Sequence, residues 1–127
     1  SITPFRSQAE WTRELAATDV NHDTTGFSGG ITSFELLWHG IPTVTLPGRT
    51  LRSRQTLALL QRLELPELIA TDEDDYVQIA VSLARDAARR AALRETLLAR
   101  RGRLDDGGET ARALAALLHT GRLPSPA

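Results

Sequence analysis

The sequence predicts an α/β protein, with a Rossmann-like parallel sheet and helices on both of its faces. Two observations predict it. Short apolar, β-branched runs alternate with segments whose apolar residues recur at helical spacing, and that alternation builds parallel sheets covered by helices. A glycine-rich loop, "TTGFSGGI", follows the first such run and precedes a helix, the place where open α/β sheets carry ligand-binding loops. The right-handed crossover rule then sets how successive strands lie side by side.

The elements follow in order. Ser7-Gln8-Ala9-Glu10 is a capping box, in which the Ser oxygen takes one free amide and the Glu reaches back to another. It opens a helix to about Thr18, with Trp11 and Leu15 on one face. "DVNHD" is a short strand, and Thr24 to Ile31 is the loop beyond its C-terminal end. Ser33 to His39 reads as a helix, ended by Gly40 in the left-handed conformation and blocked from continuing by Pro42. Thr43 to Leu46 is β-branched and reads as a buried strand. Leu51 to Leu63 is a helix, and Leu68 to Ala70 a brief strand. Thr71-Asp72-Glu73-Asp74 places acids on the positive end of the next helix, whose buried stripe is Tyr76, Ile79, Ala80, Leu83 and Ala84. Asp86 caps a further helix carrying Ala92, Leu93 and Leu97 through about Arg101. After the loop "GRLDDGG", residues Ala111, Leu114, Ala115 and Leu118 stripe a last helix closed by Gly121. Residues 1–121 are therefore expected to form one partial lobe, and 122–127 a tail that frays.

A chain of 127 residues suits one domain with a real core. The net charge of −1 gives no argument for nucleic acid or an anionic membrane. Arg85 to Arg103 is rich in arginine, but few aromatics are available for stacking on bases, and a solvated basic face explains it. Cysteine is absent, which removes disulfides and thiol chemistry and agrees with a cytoplasmic location. No apolar run approaches the roughly 20 residues of a membrane span. The abrupt start at "SITPF" and the small number of strands raise the expectation of a larger protein. An open sheet edge invites pairing, so a homo-oligomer or another chain is expected there.

Two readings of the glycine loop stand side by side. In one, Gly29 and Gly30 bring backbone amides close to a ligand oxygen, the helix N-terminus favours a phosphate, Thr32 adds a hydroxyl and Glu35 accepts from a ribose diol. In the other, Thr32-Ser33-Phe34-Glu35 is a capping box that satisfies its own backbone. "LPGRTLRSRQ" lies beyond the end of the second strand, and its Arg49, Arg52 and Arg54 oppose a helix dipole unless an anion or acidic neighbour offsets them. Asp72-Glu73-Asp74 has the look of a D-x-D metal motif, but acids in a first helical turn explain it. His22, His39 and His119 are not spaced as metal ligands, and no Ser-His-Asp arrangement is recognisable.

Taken together, "DVNHDTTGFSGGITSFELLWHGIPTVTLPGRTLRSRQ" and "LELPELIATDEDDYVQIAVSLARD" resemble the C-terminal half of the O-linked N-acetylglucosamine transferase family, including its bacterial, tetratricopeptide-linked members. The marks are an Asp-Thr after the strand, Gly-Gly-x-Thr, an acid at Glu35, Gly-x-Pro, Leu-Pro-Gly and Arg54. The resemblance runs from about Ser7 to about Ala99. It implies the donor-side lobe of a GT-B fold, one of two Rossmann-like lobes facing across a cleft. It also implies a nucleotide-sugar donor of the UDP type and transfer to a protein side chain, with no metal or other cofactor. By the same resemblance the donor pyrophosphate sits at Gly29, Gly30, Ile31 and Thr32, the ribose at Glu35, and Ser53 and Arg54 lie nearby. No catalytic base is named.

The sequence departs from that pattern in three places, one of them His22 and His39, which replace residues that are usually apolar or small. Ile31-Thr32 stands where many members carry Thr-Thr, and Gln8, Trp11 and Glu14 stand where the animal enzymes face uridine with basic or His residues. These departures keep an alternative open, a catalytically degenerate lobe used as a structural or protein-interaction module. In either case this segment is expected to be inactive alone, since a cleft enzyme needs both walls.

Overall fold

The computed structural model describes residues 7–105 and 107–120. The helices are α1 (Gln8–Ala16), α2 (Gly30–Trp38), α3 (Gln55–Arg62), α4 (Glu73–Arg85), α5 (Ala87–Arg100) and α6 (Glu109–Thr120); the strands are β1 (Asn21–His22) and β2 (Thr43–Val44). Short 3-10 turns occupy Leu51–Ser53, Pro66–Leu68 and Arg101–Leu104. Residues 1–6 and the proposed tail, with Gly121, lie outside the described residues.

β1 and β2 run parallel, with Asn21 opposite Thr43 and His22 opposite Val44. The ladder is closed by Asn21 N–H to Pro42 O and Asp23 N–H to Val44 O, both at 2.9 Å. The expected strand at Leu68 to Ala70 shrinks to a single parallel bridge, Thr45 to Ile69. The reason lies in Pro66, whose fixed φ and missing N–H open a 3-10 turn that runs to Leu68. What pairing remains is two bonds flanking Ile69, Thr45 N–H to Leu68 O at 3.0 Å and Ala70 N–H to Thr45 O at 2.8 Å. The parallel α/β pattern stands, with less strand in it than the apolar runs promised.

Several caps form as the sequence indicates. Ser7 and Glu10 make the reciprocal box at the start of α1. Asp86 accepts from Arg89 N–H at α5, and Asp72, expected only as an acid on the positive end of its helix, is the N-cap of α4 and accepts from Asp75 N–H. The box at Thr32 and Glu35 does not form. α2 begins at Gly30 with Gly29 as its N-cap and no side-chain cap bond, so Thr32 is already inside the first turn. The helix expected from Leu51 to Leu63 is split, because Thr50 and Ser53 cap a 3-10 turn and α3 starts only at Gln55.

The main core joins Leu37 of α2, Val44 of β2, Leu60 of α3, Leu83 of α4 and Leu97 of α5, all fully buried. A second cluster holds Leu15, Leu36 and Ile41, with Trp11 packed on it. α2 thus carries one leucine into each cluster and wedges between α1 and the rest. The α4 stripe is buried at Ala80 and Leu83, while Ala84 is exposed. On α6, Leu114 and Leu118 face outward at 55% and 77% exposure.

The arginines of α5 mostly serve the fold. Arg90 donates to Leu83 O and Ala84 O, which end α4. Arg100 donates to Leu63 O and Glu64 O. It thereby holds Glu64, a non-glycine residue at φ 55°, where a side chain costs about 1 kcal/mol or more. Arg101 lies over Trp38 at 5.4 Å from the ring centroid.

Candidate functional site

The glycine loop lies at the C-terminal end of β1, as its place in the chain requires. Asp23 holds it there. This carboxylate is 6% exposed, and three donors satisfy it. Gly29 N–H donates to Oδ1 at 2.8 Å, while Ser28 Oγ–H and Thr45 Oγ1–H donate to Oδ2 at 2.9 and 2.7 Å. Buried carboxylates are tolerated only when so paired. Ser28 passes the connection on. Its Oγ accepts from Thr56 N–H at 2.9 Å and lies 2.7 Å from the Thr56 hydroxyl, which itself donates to Ser33 Oγ at 2.9 Å. No buried side-chain nitrogen or oxygen among the described residues lacks a partner. The sequence reading missed this network. Its one signal was the acid at the strand's end, quoted in the Asp-Thr mark without a role.

The two glycines have separate reasons. A Cβ on Gly29 would lie 2.5 Å from Ser33 Oγ, so the close packing of loop against helix requires its absence. Gly30 has φ +46°, in the left-handed region, and a Cβ there would lie 2.8 Å from Gln55 Oε1. Gly29 N–H is taken by Asp23. Thr32 N–H and Ser33 N–H both turn back to Gly29 O. The amides of Gly30 and Ile31 carry no hydrogen bond among the described residues. Ile31 is 79% exposed and Phe27, in the same loop, 62%.

Glu35 lies one turn further along α2. Its Oε2 accepts the indole N–H of Trp11 at 2.8 Å. Trp11 and Thr32, with Glu14, Asn21 and Leu36, line a cleft of ≈ 410 Å³ between α1 and α2. The cleft opens beside the first turn of α2.

The second loop docks on the first through Ser28 N–H to Arg52 O at 2.8 Å. Ser53 is buried at 3% exposure. Its hydroxyl donates to Thr50 O at 2.8 Å and accepts from Thr50 N–H at 3.2 Å, which commits it to its own turn. Arg54 is exposed and donates to Gly48 O at 3.1 Å. Arg49 and Arg52 are exposed. The structure therefore brings Gly29, Gly30, Ile31, Thr32 and Glu35 together on α2 and the loop before it. Ser53 and Arg54 lie on the neighbouring loop. Tyr76 of α4 donates its hydroxyl to Asp23 O at 2.9 Å; burial, and then the Asp23 charge, raise its pKa above the ordinary 10.0. Among the described residues, no cluster of three or more His, Asp or Glu could hold a metal ion.

Comparison with known proteins identifies the family of the chain. Residues 2–105 match the family model of glycosyl transferase family 41. The chain belongs to that family. A relative in Caenorhabditis elegans, a UDP-N-acetylglucosamine–peptide N-acetylglucosaminyltransferase, is 39% identical over 88 residues, covering 69% of this chain and 8% of the relative. The Arabidopsis thaliana SPINDLY protein, a probable enzyme of the same name, is 37% identical over 79 residues, covering 62% of this chain and 9% of that one. Among solved structures, a mutant O-GlcNAc transferase from Thermobaculum terrenum superposes with a TM-score of 0.66 at 31% identity, over 94% of this chain and 25% of that one. The family 41 chain described here thus has the α/β, Rossmann-like architecture of a GT-B transferase lobe. It spans under a tenth of the length of those two curated relatives. No described helix is long and apolar enough to cross a membrane.

Proposed function

We propose that this chain is the donor-binding portion of a protein glycosyltransferase, taking a UDP-sugar for transfer to a side chain of an acceptor protein. One observation carries the reading: two unpaired amides, Gly30 and Ile31, open a helix at the sheet's C-terminal edge, beside a cleft lined by Trp11 and Thr32. The donor diphosphate would take those amides and the partial positive charge of α2. Charge growing on the departing diphosphate would be stabilised there by fixed dipoles. The Thr32 hydroxyl lies at the cleft, and Glu35 is one turn along for the ribose. Arg54 and the exposed Arg49 and Arg52 supply positive charge on the adjoining loop. Binding through amides, hydroxyls and arginines requires no metal. The missing wall of the cleft would come from a second lobe in the same protein or from another chain.

Calorimetric titration of the full-length chain with UDP tests the reading. Binding that is lost in Gly30→Val and weakened in Glu35→Ala supports it, and no binding to the parent protein overturns it.

A specific feature favours a second reading, a degenerate lobe kept as an interaction module. Ile31 puts an apolar side chain, 79% exposed, on the first turn of α2, and Trp11 already occupies one oxygen of Glu35. Under that reading the chain binds no UDP and a partner protein covers the loop.

A further inference from the structure

We infer that Asp23 is a positioning residue for the donor site: its carboxylate stands in for an anion on the Gly29 amide and so fixes the amides of Gly30 and Ile31 for the ligand. The inference rests on the reading of this loop as a UDP-sugar site.

The geometry is that of a hub. Asp23 takes one donor from the loop backbone, one from the loop side chain Ser28 and one from Thr45, the residue that bridges to Ile69. The loop's position is thereby referred to the sheet. Through Ser28 the same carboxylate is linked to the first turn of α3 at Thr56. Its own backbone carbonyl is held by Tyr76 from α4. The loop and the sheet meet at this one 6%-exposed side chain, while α3 reaches it only through Ser28 and α4 holds its backbone.

Two consequences follow for a ligand. With Gly29 N–H occupied, the first turn of α2 offers outward the next two amides, those of Gly30 and Ile31. A loop already held in place need not be ordered by the ligand, and preorganisation of that kind raises affinity. The sign of the charge makes the role testable. A carboxylate behind an anion site repels the anion. If Asp23 acted through its charge alone, neutralising it would tighten binding. If it acts by holding the loop, Asp23→Asn weakens binding despite the lost repulsion, because an amide nitrogen then faces two hydroxyls that had donated to Oδ2.

The experiment compares Asp23→Asn and Thr45→Val with the parent full-length chain. UDP affinity is read by calorimetry, and the hydrogen exchange of the Gly29 to Thr32 amides is read without ligand. Both variants are expected to exchange faster in the loop. Asp23→Asn is expected to lose about tenfold or more in UDP affinity, the scale on which orienting partners act on a site, and Thr45→Val less in the same direction. Equal or tighter UDP binding by Asp23→Asn overturns the inference, as does unchanged loop exchange. If the parent binds no UDP, the functional reading falls and loop exchange alone decides the positioning. Should Asp23→Asn unfold, Thr45→Val carries both measurements.

Discussion

The indole N–H of Trp11 donates to Glu35 Oε2 at 2.8 Å, a bond that joins α1 to α2 across 24 positions of sequence. It ties the helix that walls the cleft to the acid proposed for the ribose. Trp11→Phe keeps the packing on Leu15, Leu36 and Ile41 and removes the donor. A loss of about 1 kcal/mol is expected in urea unfolding, the usual size for one partly exposed hydrogen bond. The cycle completed with Glu35→Ala, which removes the acceptor, should show coupling between the two sites; additive losses would mean that the bond contributes nothing.

The glycines divide by their surroundings. Gly29→Ala drives a Cβ to 2.5 Å from Ser33 Oγ and should destabilise by about 1–3 kcal/mol, as overpacking does. Gly26 has φ +85° with open space around it, so Gly26→Ala should lose only the left-handed penalty of about 1–2 kcal/mol. Gly102 meets nothing within 4 Å and has no positive φ. There the alanine should be neutral or slightly stabilising, by up to about 1 kcal/mol. Thermal melts of the three variants would rank them.

Acid should weaken the fold through two exposed glutamates. Hydrogen bonds from the Ser7 backbone and hydroxyl hold Glu10 below its ordinary 4.5, and Arg103, by hydrogen bond and charge, does the same for Glu64. A carboxyl whose pKa is lower in the folded state contributes stability above its unfolded value, and loses it as pH falls through the folded one. Stability measured from pH 5 downward should therefore drop less steeply in Glu64→Gln and Glu10→Gln than in the parent. At the alkaline end the raised pKa of Tyr76 acts in mirror image. Its contribution is whole below 10.0 and fades as pH climbs through the folded value, and Tyr76→Phe should flatten that limb.

Leucines on the two sides of the fold should differ sharply. Leu60 is fully buried between α3 and the core, whereas Leu118 is 77% exposed. Leu60→Ala should destabilise by about 2–5 kcal/mol, and Leu118→Ala by within about 0.5 kcal/mol. Equal losses in chemical denaturation would mean that α6 is covered in solution.

Ile31→Thr would place a hydroxyl beside the unpaired amides at the start of α2. With Ile31 79% exposed, stability should stay within about 0.5 kcal/mol, and UDP binding should tighten if the loop holds a diphosphate. Unchanged or weaker UDP binding would count against that use of the loop.

How much of this was legible depended on how local the cause was. The caps at Ser7 and Asp86 were readable because donor and acceptor lie within a few residues. The start of α2 was misplaced because its cause is not local. Thr32-x-x-Glu35 has a cap's spacing, but Asp23 holds the Gly29 amide and Trp11 takes Glu35. Only the folded arrangement of β1 and α1 makes those contacts. Ser53 was placed near the site by the family resemblance, and its hydroxyl bonds within its own turn to Thr50, a contact close enough in sequence to be read from Thr50-x-x-Ser53. The strand at Leu68 was over-read because apolar content outweighed Pro66, whose effect on pairing was there to be seen.

The two tryptophans leave the molecule with a pair of natural optical reporters. Trp38 is stacked on Phe34 at 5.7 Å between centroids and lies beneath Arg101, so its emission should follow the integrity of the core. Trp11 lines the cleft and is bonded to the acid beside it, so its emission should respond to whatever enters. A Trp38→Phe protein would then carry a single tryptophan, at the proposed site, and a ligand could be watched arriving without a label.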